Sequence, residues 1–106
     1  MKEKLLNIVT QLKIALQELY GSRLDRIILF GSQARADNPT DSDIDMLVVL
    51  NGNVCPSTEI TRTGSIISDL SLKFEVVISC VFIEREQFLQ RNGPLLRNIR
   101  KEGIAV

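Results

Sequence analysis

Asp43 and Asp45 are the side chains of this sequence best spaced for chemistry. They lie in Asp43-Ile44-Asp45-Met46, where polar and apolar residues alternate before the apolar run Leu47-Val48-Val49-Leu50. Residues i and i+2 of an extended strand point to one face, so this spacing predicts two carboxylates projecting together while Ile44 and Met46 enter a core. Glu75, the only acid inside a further strand predicted over Phe74–Phe82, joins them if the two strands pair. Two unit charges about 5 Å apart repel by roughly 3 kcal/mol at an effective dielectric near 20, and three such pairs approach about 10 kcal/mol. That is a large part of a small domain's stability. No basic residue flanks the aspartates, so a hard divalent cation is the natural counter-charge, and carboxylate plus water ligation suits Mg²⁺ or Mn²⁺. Taken alone, an Asp-x-Asp at a strand mouth is equally a pair of solvated turn residues. A calcium loop starting at Asp41 fails on spacing, because Met46 stands where glycine is needed and Gly52 where a bidentate glutamate is needed.

A second feature precedes the aspartates. Gly31-Ser32 follows the apolar run Ile27-Ile28-Leu29-Phe30 and opens a helical turn. Glycine permits close backbone approach, the serine hydroxyl adds a donor, and unpaired N–H groups at such a turn favour an anion, so a triphosphate fits there. No Walker lysine and no G-x-G-x-x-G occur. Arg35, one turn after Ser32, is a candidate for a phosphate oxygen or a partner; its plainer reading is an exposed helix charge. Lys73 is equally open, and Asp37 and Asp41 read as solvated turn acids.

Composition narrows the chemistry. The 106 residues include no His, which removes Ser-His-Asp and Cys-His pairs, His-ligated zinc and imidazole acid–base catalysis. Cys55 and Cys80 show no CxxC spacing and read as reduced thiols. Lys+Arg and Asp+Glu balance at 13 each, which argues against stable binding to long nucleic acid. The balance conceals an asymmetry: Asp37, Asp41, Asp43, Asp45 and Glu59 lie in a stretch without a basic residue, whereas Arg85, Arg91, Arg97, Arg100 and Lys101 crowd the C-terminal part. The longest apolar run, Met46 to Leu50, is far short of the ~20 residues of a membrane span, and no signal-peptide core follows Met1, so a cytoplasmic protein is expected.

The elements that must position these residues are legible in outline. Leu5, Ile8, Val9, Leu12, Ala15, Leu16 and Leu19 recur at three- and four-residue steps, predicting an amphipathic helix over 3–20 closed by Gly21-Ser22. Ile27–Phe30 predicts a buried strand, Gln33–Ala36 one helical turn stopped by Asn38-Pro39, and Asp43–Leu50 a strand with a wet mouth. Ile60, Ile66, Ile67 and Leu70 predict a helix near 58–71, followed by the strand over Phe74–Phe82. Two short helices are expected at 84–90 and 94–101, the second with Pro94 in its first turn and Gly103 beyond its end. This order gives a small sheet sandwiched by helices, α/β or α+β, in one domain over residues 1–106.

Phe30-Gly31-Ser32, ten intervening residues, then Asp43-Ile44-Asp45 resembles the signature of the DNA polymerase β-like nucleotidyltransferase superfamily. The wording Phe30-Gly31-Ser32-Gln33-Ala34-Arg35-Ala36 with Ser42-Asp43-Ile44-Asp45 is similar to its minimal nucleotidyltransferase (MNT) branch, over about residues 24–82, and Asn98–Gly103 resembles the ending of that branch. The resemblance implies an α+β fold with a small mixed sheet flanked by helices, Gly31 and Ser32 (with Arg35) on the nucleotide's phosphates, and Asp43 and Asp45 on Mg²⁺. Its third carboxylate, usually Asp, falls on Glu75, a departure that adds a methylene. It also implies the antitoxin of a HEPN–MNT pair, which moves AMP from ATP onto a tyrosine hydroxyl of the HEPN ribonuclease toxin and silences it.

The mechanism expected from that reading is metal-assisted in-line transfer, one Mg²⁺ on Asp43, Asp45 and Glu75 activating the hydroxyl and a second on Asp43 and Asp45 orienting the triphosphate. Glu75 is the expected proton acceptor. So short a chain leaves no room for an acceptor-binding domain, so a protein partner must present the acceptor, in a hetero-oligomer with the toxin or beside a homo-oligomer. Two rivals stand: a noncatalytic binding module that neutralises its partner by contact, and a small-molecule nucleotidyltransferase.

Overall fold

The computed structural model describes residues 2–35 and 43–106. Helix α1 (Glu3–Tyr20) follows the apolar stripe read from the sequence. A 3₁₀ turn (Gly21–Arg23) leads into β1 (Leu24–Phe30), then come the one-turn helix α2 (Ser32–Arg35) and β2 (Ile44–Leu50). Helix α3 (Pro56–Phe74), β3 (Ile78–Glu84), α4 (Arg85–Gln90), α5 (Pro94–Glu102) and a two-residue strand β4 (Ile104–Ala105) complete the order. Asp37 and Asp41, like the Ala36, Asn38, Pro39 and Ser42 of the motif, lie outside the described residues.

The four strands form one mixed sheet in the order β3-β2-β1-β4. β1 pairs antiparallel with β2 and with β4, and β2 pairs parallel with β3. Alternation along each strand sorts the side chains onto two faces. Ile27 and Leu29 of β1, Ile44, Met46 and Val48 of β2, and Ile78 and Phe82 of β3 pack against Leu12 and Leu16 of α1 and Leu70 of α3. Ile28, Leu47 and Val49 point the other way and are covered by Phe88 of α4 with Leu96 and Ile99 of α5. Helices on both faces explain why β2 is apolar at almost every position: a strand covered twice has no solvent side.

The fold is therefore α+β with a mixed sheet flanked by helices, as expected. Several details differ from the sequence reading, among them the start of β1 at Leu24 instead of Ile27. Helix α3 is longer than 58–71 because Pro56 starts it at the first turn and the residues after Leu70 continue it to Phe74. Consequently the third strand begins at Ile78 instead of Phe74. Finally, β4 was not foreseen: α5 ends at Gly103, whose Cα lies so close to the Ile99 carbonyl and to Ile28 Cγ2 that a side chain has no room. The chain then turns onto the free edge of β1, where the Val106 N–H donates to the Ile27 carbonyl.

One polar cluster lies inside the helical layer. Glu59 of α3 is buried and its Oε1 accepts a 2.6 Å hydrogen bond from the Tyr20 hydroxyl of α1, while Arg62 approaches the same carboxylate at 3.5 Å and Arg23 at 4.0 Å. A buried carboxylate with a donor and two cations at hand avoids the cost of an unpaired charge. Burial, and then the bond to Glu59, push the Tyr20 phenol above its usual range.

Candidate active site

The site is assembled where β1 ends and β2 begins. Phe30, the last residue of β1, lies opposite Asp45 in the antiparallel pair, and Asp45 lies beside Ser79 in the parallel pair. Phe30, Asp45 and Ser79 thus form one rung across three strands, on the sheet face that α4 and α5 cover farther along. Ile44 and Met46, the neighbours of Asp45, are fully buried on the opposite face, so the core itself orients the Asp45 carboxylate.

Gly31 fixes what lies against that carboxylate. Its φ is +74°, a region open to glycine and costly for other residues, and a Cβ built there would stand 2.6 Å from Asp45 Oδ2. The Gly-Ser turn and the Asp-x-Asp motif, separated in sequence, are in direct contact. The Gly31 carbonyl accepts from the N–H groups of Ala34 and Arg35, which closes the single turn of α2. Glycine's lack of a side chain is what allows this turn to sit on the carboxylate.

The electrostatics agree with the spacing argument. Asp45 is held above its ordinary carboxylate range, first by burial and then by the negative charge of Asp43. Asp43 itself is exposed and immediately precedes β2. The two aspartates form the expected pair, with one carboxylate half-sheltered and the other in solvent. Arg35 ends α2 and its Nη1 lies 3.5 Å from Oε2 of Glu102 at the end of α5. That ion pair ties the turn to the C-terminal helix, a relationship between distant segments that nothing in the local sequence signals.

Glu75 is not where the sequence reading placed it. It is exposed, lies three residues before β3, and adopts a left-handed conformation (φ 54°, ψ 50°) as the cap of α3. Its N–H donates to the Leu72 carbonyl and that of Val76 to the Ser71 carbonyl, the paired bonds that close a helix C-terminus. Among the described residues no group of three Asp, Glu, Cys or His side chains comes together to hold a metal. The strands do pair, as the sequence argument required, but the parallel register brings Ser79 beside Asp45. A turn made by a residue other than glycine, within a stretch rich in β-formers, hid the helix end and shifted the expected strand.

Asp43 and Asp45 present oxygen donors suited to one hard divalent cation, and the repulsion between them is what such an ion relieves. Both cysteines are free: Cys80 lies within β3, where burial pushes its thiol up to about 12, and Cys55 lies exposed at the start of α3. No helix among the described residues is long and apolar enough to cross a membrane.

The whole of this framework has counterparts. Residues 9–106 match the model of the nucleotidyltransferase domain. The chain belongs to the nucleotidyltransferase domain family. A Methanocaldococcus jannaschii protein named as a candidate protein adenylyltransferase is 38% identical over 90 residues, covering 84% of this chain and 84% of that protein. Among solved structures, a Sulfolobus solfataricus protein described as a candidate nucleotidyltransferase superposes with a TM-score of 0.60 at 20% identity, over 99% of this chain and 86% of that one. A toxin–antitoxin structure holding AMP-PNP superposes with a TM-score of 0.63 at 17% identity, over 98% of this chain and 72% of its counterpart. The match extends beyond the segment 24–82 that carried the sequence resemblance and takes in most of α1 and all of α5 and β4.

Proposed function

We propose that this nucleotidyltransferase transfers AMP from ATP to a side-chain hydroxyl of a partner protein, a tyrosine of a HEPN-type ribonuclease toxin, and so acts as its antitoxin. The observation that carries the reading is the seating of Asp45 against Gly31, with Asp43 beside it. This joins the Gly-Ser turn to a carboxylate pair in a chain 38% identical to a protein named as a candidate adenylyltransferase. The toxin–antitoxin neighbour with a bound nucleotide analogue supports the choice of partner and nucleotide.

In this reading Gly31 and Ser32 receive the phosphates, Arg35 offers its guanidinium to a phosphate oxygen, and Asp43 and Asp45 hold Mg²⁺. The cation, when bound, neutralises the triphosphate and eases deprotonation of the acceptor hydroxyl. The acceptor oxygen forms a bond to the α-phosphorus, the bond from that phosphorus to the bridging oxygen breaks, and pyrophosphate leaves with the electron pair. The hydroxyl proton passes to solvent or to a nearby base. Asp45 contributes by being oriented from below by Ile44 and Met46, so the pair needs little rearrangement when the charge develops.

The test is mass measurement of the co-expressed partner after incubation with ATP and Mg²⁺. Addition of one or more AMP units that disappears in the double variant Asp43→Asn with Asp45→Asn is the expected result. An unmodified but still neutralised partner assigns the chain to the contact-only class, and turnover without any partner assigns it to small-molecule transfer.

A further inference from the structure

We infer that Glu102, the last residue of α5, is a positioning residue of the nucleotide site, holding the Arg35 guanidinium beside the Gly31-Ser32 turn before a nucleotide arrives. The inference rests on the reading of Arg35 as a phosphate ligand given above and goes beyond it by bringing the C-terminal segment into the site.

Packing and register bring this carboxylate to the turn. Leu96 and Ile99 are buried against the sheet and fix the roll of α5, and Glu102 follows Ile99 by three residues, on the flank of the same stripe. Gly103 has no room for a side chain between the Ile99 carbonyl and Ile28 Cγ2, which holds the end of α5 close against β1. β4 then pairs antiparallel with β1, Leu29 with Ile104 and Ile28 with Ala105, so the chain just before β4 lies towards the Phe30–Gly31 end of β1. There Glu102 Oε2 stands 3.5 Å from Arg35 Nη1, with both side chains a little under half exposed.

The charge of Glu102 is not what the end of its helix calls for. A helix C-terminus favours cations, which Arg100 and Lys101 supply, and disfavours a carboxylate. Glu102 is repelled by its own helix and meets a counter-charge across the site in Arg35. An arginine side chain has many rotamers, and ordering it costs free energy at the moment of binding. A partner that restricts the guanidinium beforehand lowers that cost. The guanidinium offers five N–H donors in a rigid fork, so a contact through Nη1 is compatible with a phosphate oxygen on another edge. The two anions repel one another and an exposed ion pair is worth little, so the gain in nucleotide affinity is about two- to fivefold.

Calorimetric titration with AMP-PNP in the presence of Mg²⁺ tests this without turnover, on wild type, Glu102→Gln, Arg35→Ala and the double variant. Glu102→Gln keeps the shape of the side chain and removes its charge. It is expected to weaken AMP-PNP binding about two- to fivefold while leaving Tm close to that of wild type. Arg35→Ala is expected to bind more weakly still, and adding Glu102→Gln to it should change nothing further. Unchanged or tighter binding by Glu102→Gln overturns the inference. So does an equal loss from Glu102→Gln in the Arg35→Ala background, because the glutamate then acts through something other than Arg35. A loss that comes with a fall in Tm on the order of 10 °C marks a structural role and overturns it likewise. Arg35→Ala that binds as wild type does sinks the underlying reading of Arg35 as a phosphate ligand, whereas a loss there with an inert Glu102→Gln sinks only the role of Glu102.

Discussion

The Cα of Gly31 lies against the Asp45 carboxylate, so that a methyl group at that position would come within 2.6 Å of Oδ2. The contact makes two short motifs a single structural unit. The positive φ favours glycine there, and any Cβ would also have to push the Asp45 carboxylate aside.

Gly31→Ala is therefore expected to lose about 1–3 kcal/mol of stability from backbone strain alone, seen as a drop in Tm on the order of 5–20 °C. Transfer activity should fall further than the lost stability accounts for, because Asp45 must move aside. Measurement at a temperature where the variant remains folded separates the two effects.

The aspartate pair is expected to cost the nucleotide-free protein stability. Asp45 has a raised carboxyl, so the folded state favours its protonated form. The stability this gives is present below the ordinary carboxylate range and is lost as pH rises through the raised value. Asp43→Asn with Asp45→Asn should accordingly melt higher than wild type at neutral pH, by an amount on the order of 1 kcal/mol for a pair open to solvent on one side. The difference should vanish in acid, and the variant should be inactive. Calorimetric melts at several pH values, without divalent cation, provide the comparison.

Tyr20 and Glu59 join α1 to α3 through a buried hydrogen bond of 2.6 Å. Tyr20→Phe removes the donor and leaves Glu59 Oε1 to Arg62 at 3.5 Å, so chemical denaturation should report a loss of about 1–3 kcal/mol. Nucleotide and cation binding should be unchanged.

The two thiols should differ sharply in reactivity. Hydrogen bonds from Ser57 and Thr58 bring the exposed Cys55 thiol down to about 7, while burial holds Cys80 up at about 12. Alkylation near pH 7.5 should modify Cys55 alone, with a rate that climbs through pH 7 as the thiolate forms. Peptide mapping of the labelled protein identifies the site, and Ser57→Ala should move the rate midpoint to higher pH.

Much of the architecture was legible because its determinants are local. The stripe from Leu5 to Leu19 specifies α1, the run Ile27–Phe30 specifies most of β1, and the alternation at Asp43–Met46 predicts that Ile44 and Met46 of β2 enter the core. Glu59 had a signal that passed unread: with Thr63, Ile66 and Leu70 it falls on the inward stripe of α3, where an acid needs a partner. What could not be read depends on tertiary structure. The parallel register that sets Ser79 beside Asp45 is decided by how α3 returns the chain to the sheet, and the ion pair of Arg35 with Glu102 joins segments far apart in sequence. β4 has only two residues, too few to show any period, and exists because Gly103 lets the chain turn onto β1.

The sheet ends on β3, seven residues long and paired on one side only among the described elements. Its outer row of amide and carbonyl groups is a ready template for any extended segment that approaches, and Val81, 42% exposed, adds an apolar surface beside it. Purified at high concentration, this protein has along that border, on the side of the sheet farthest from β4, a place open to strand-to-strand association.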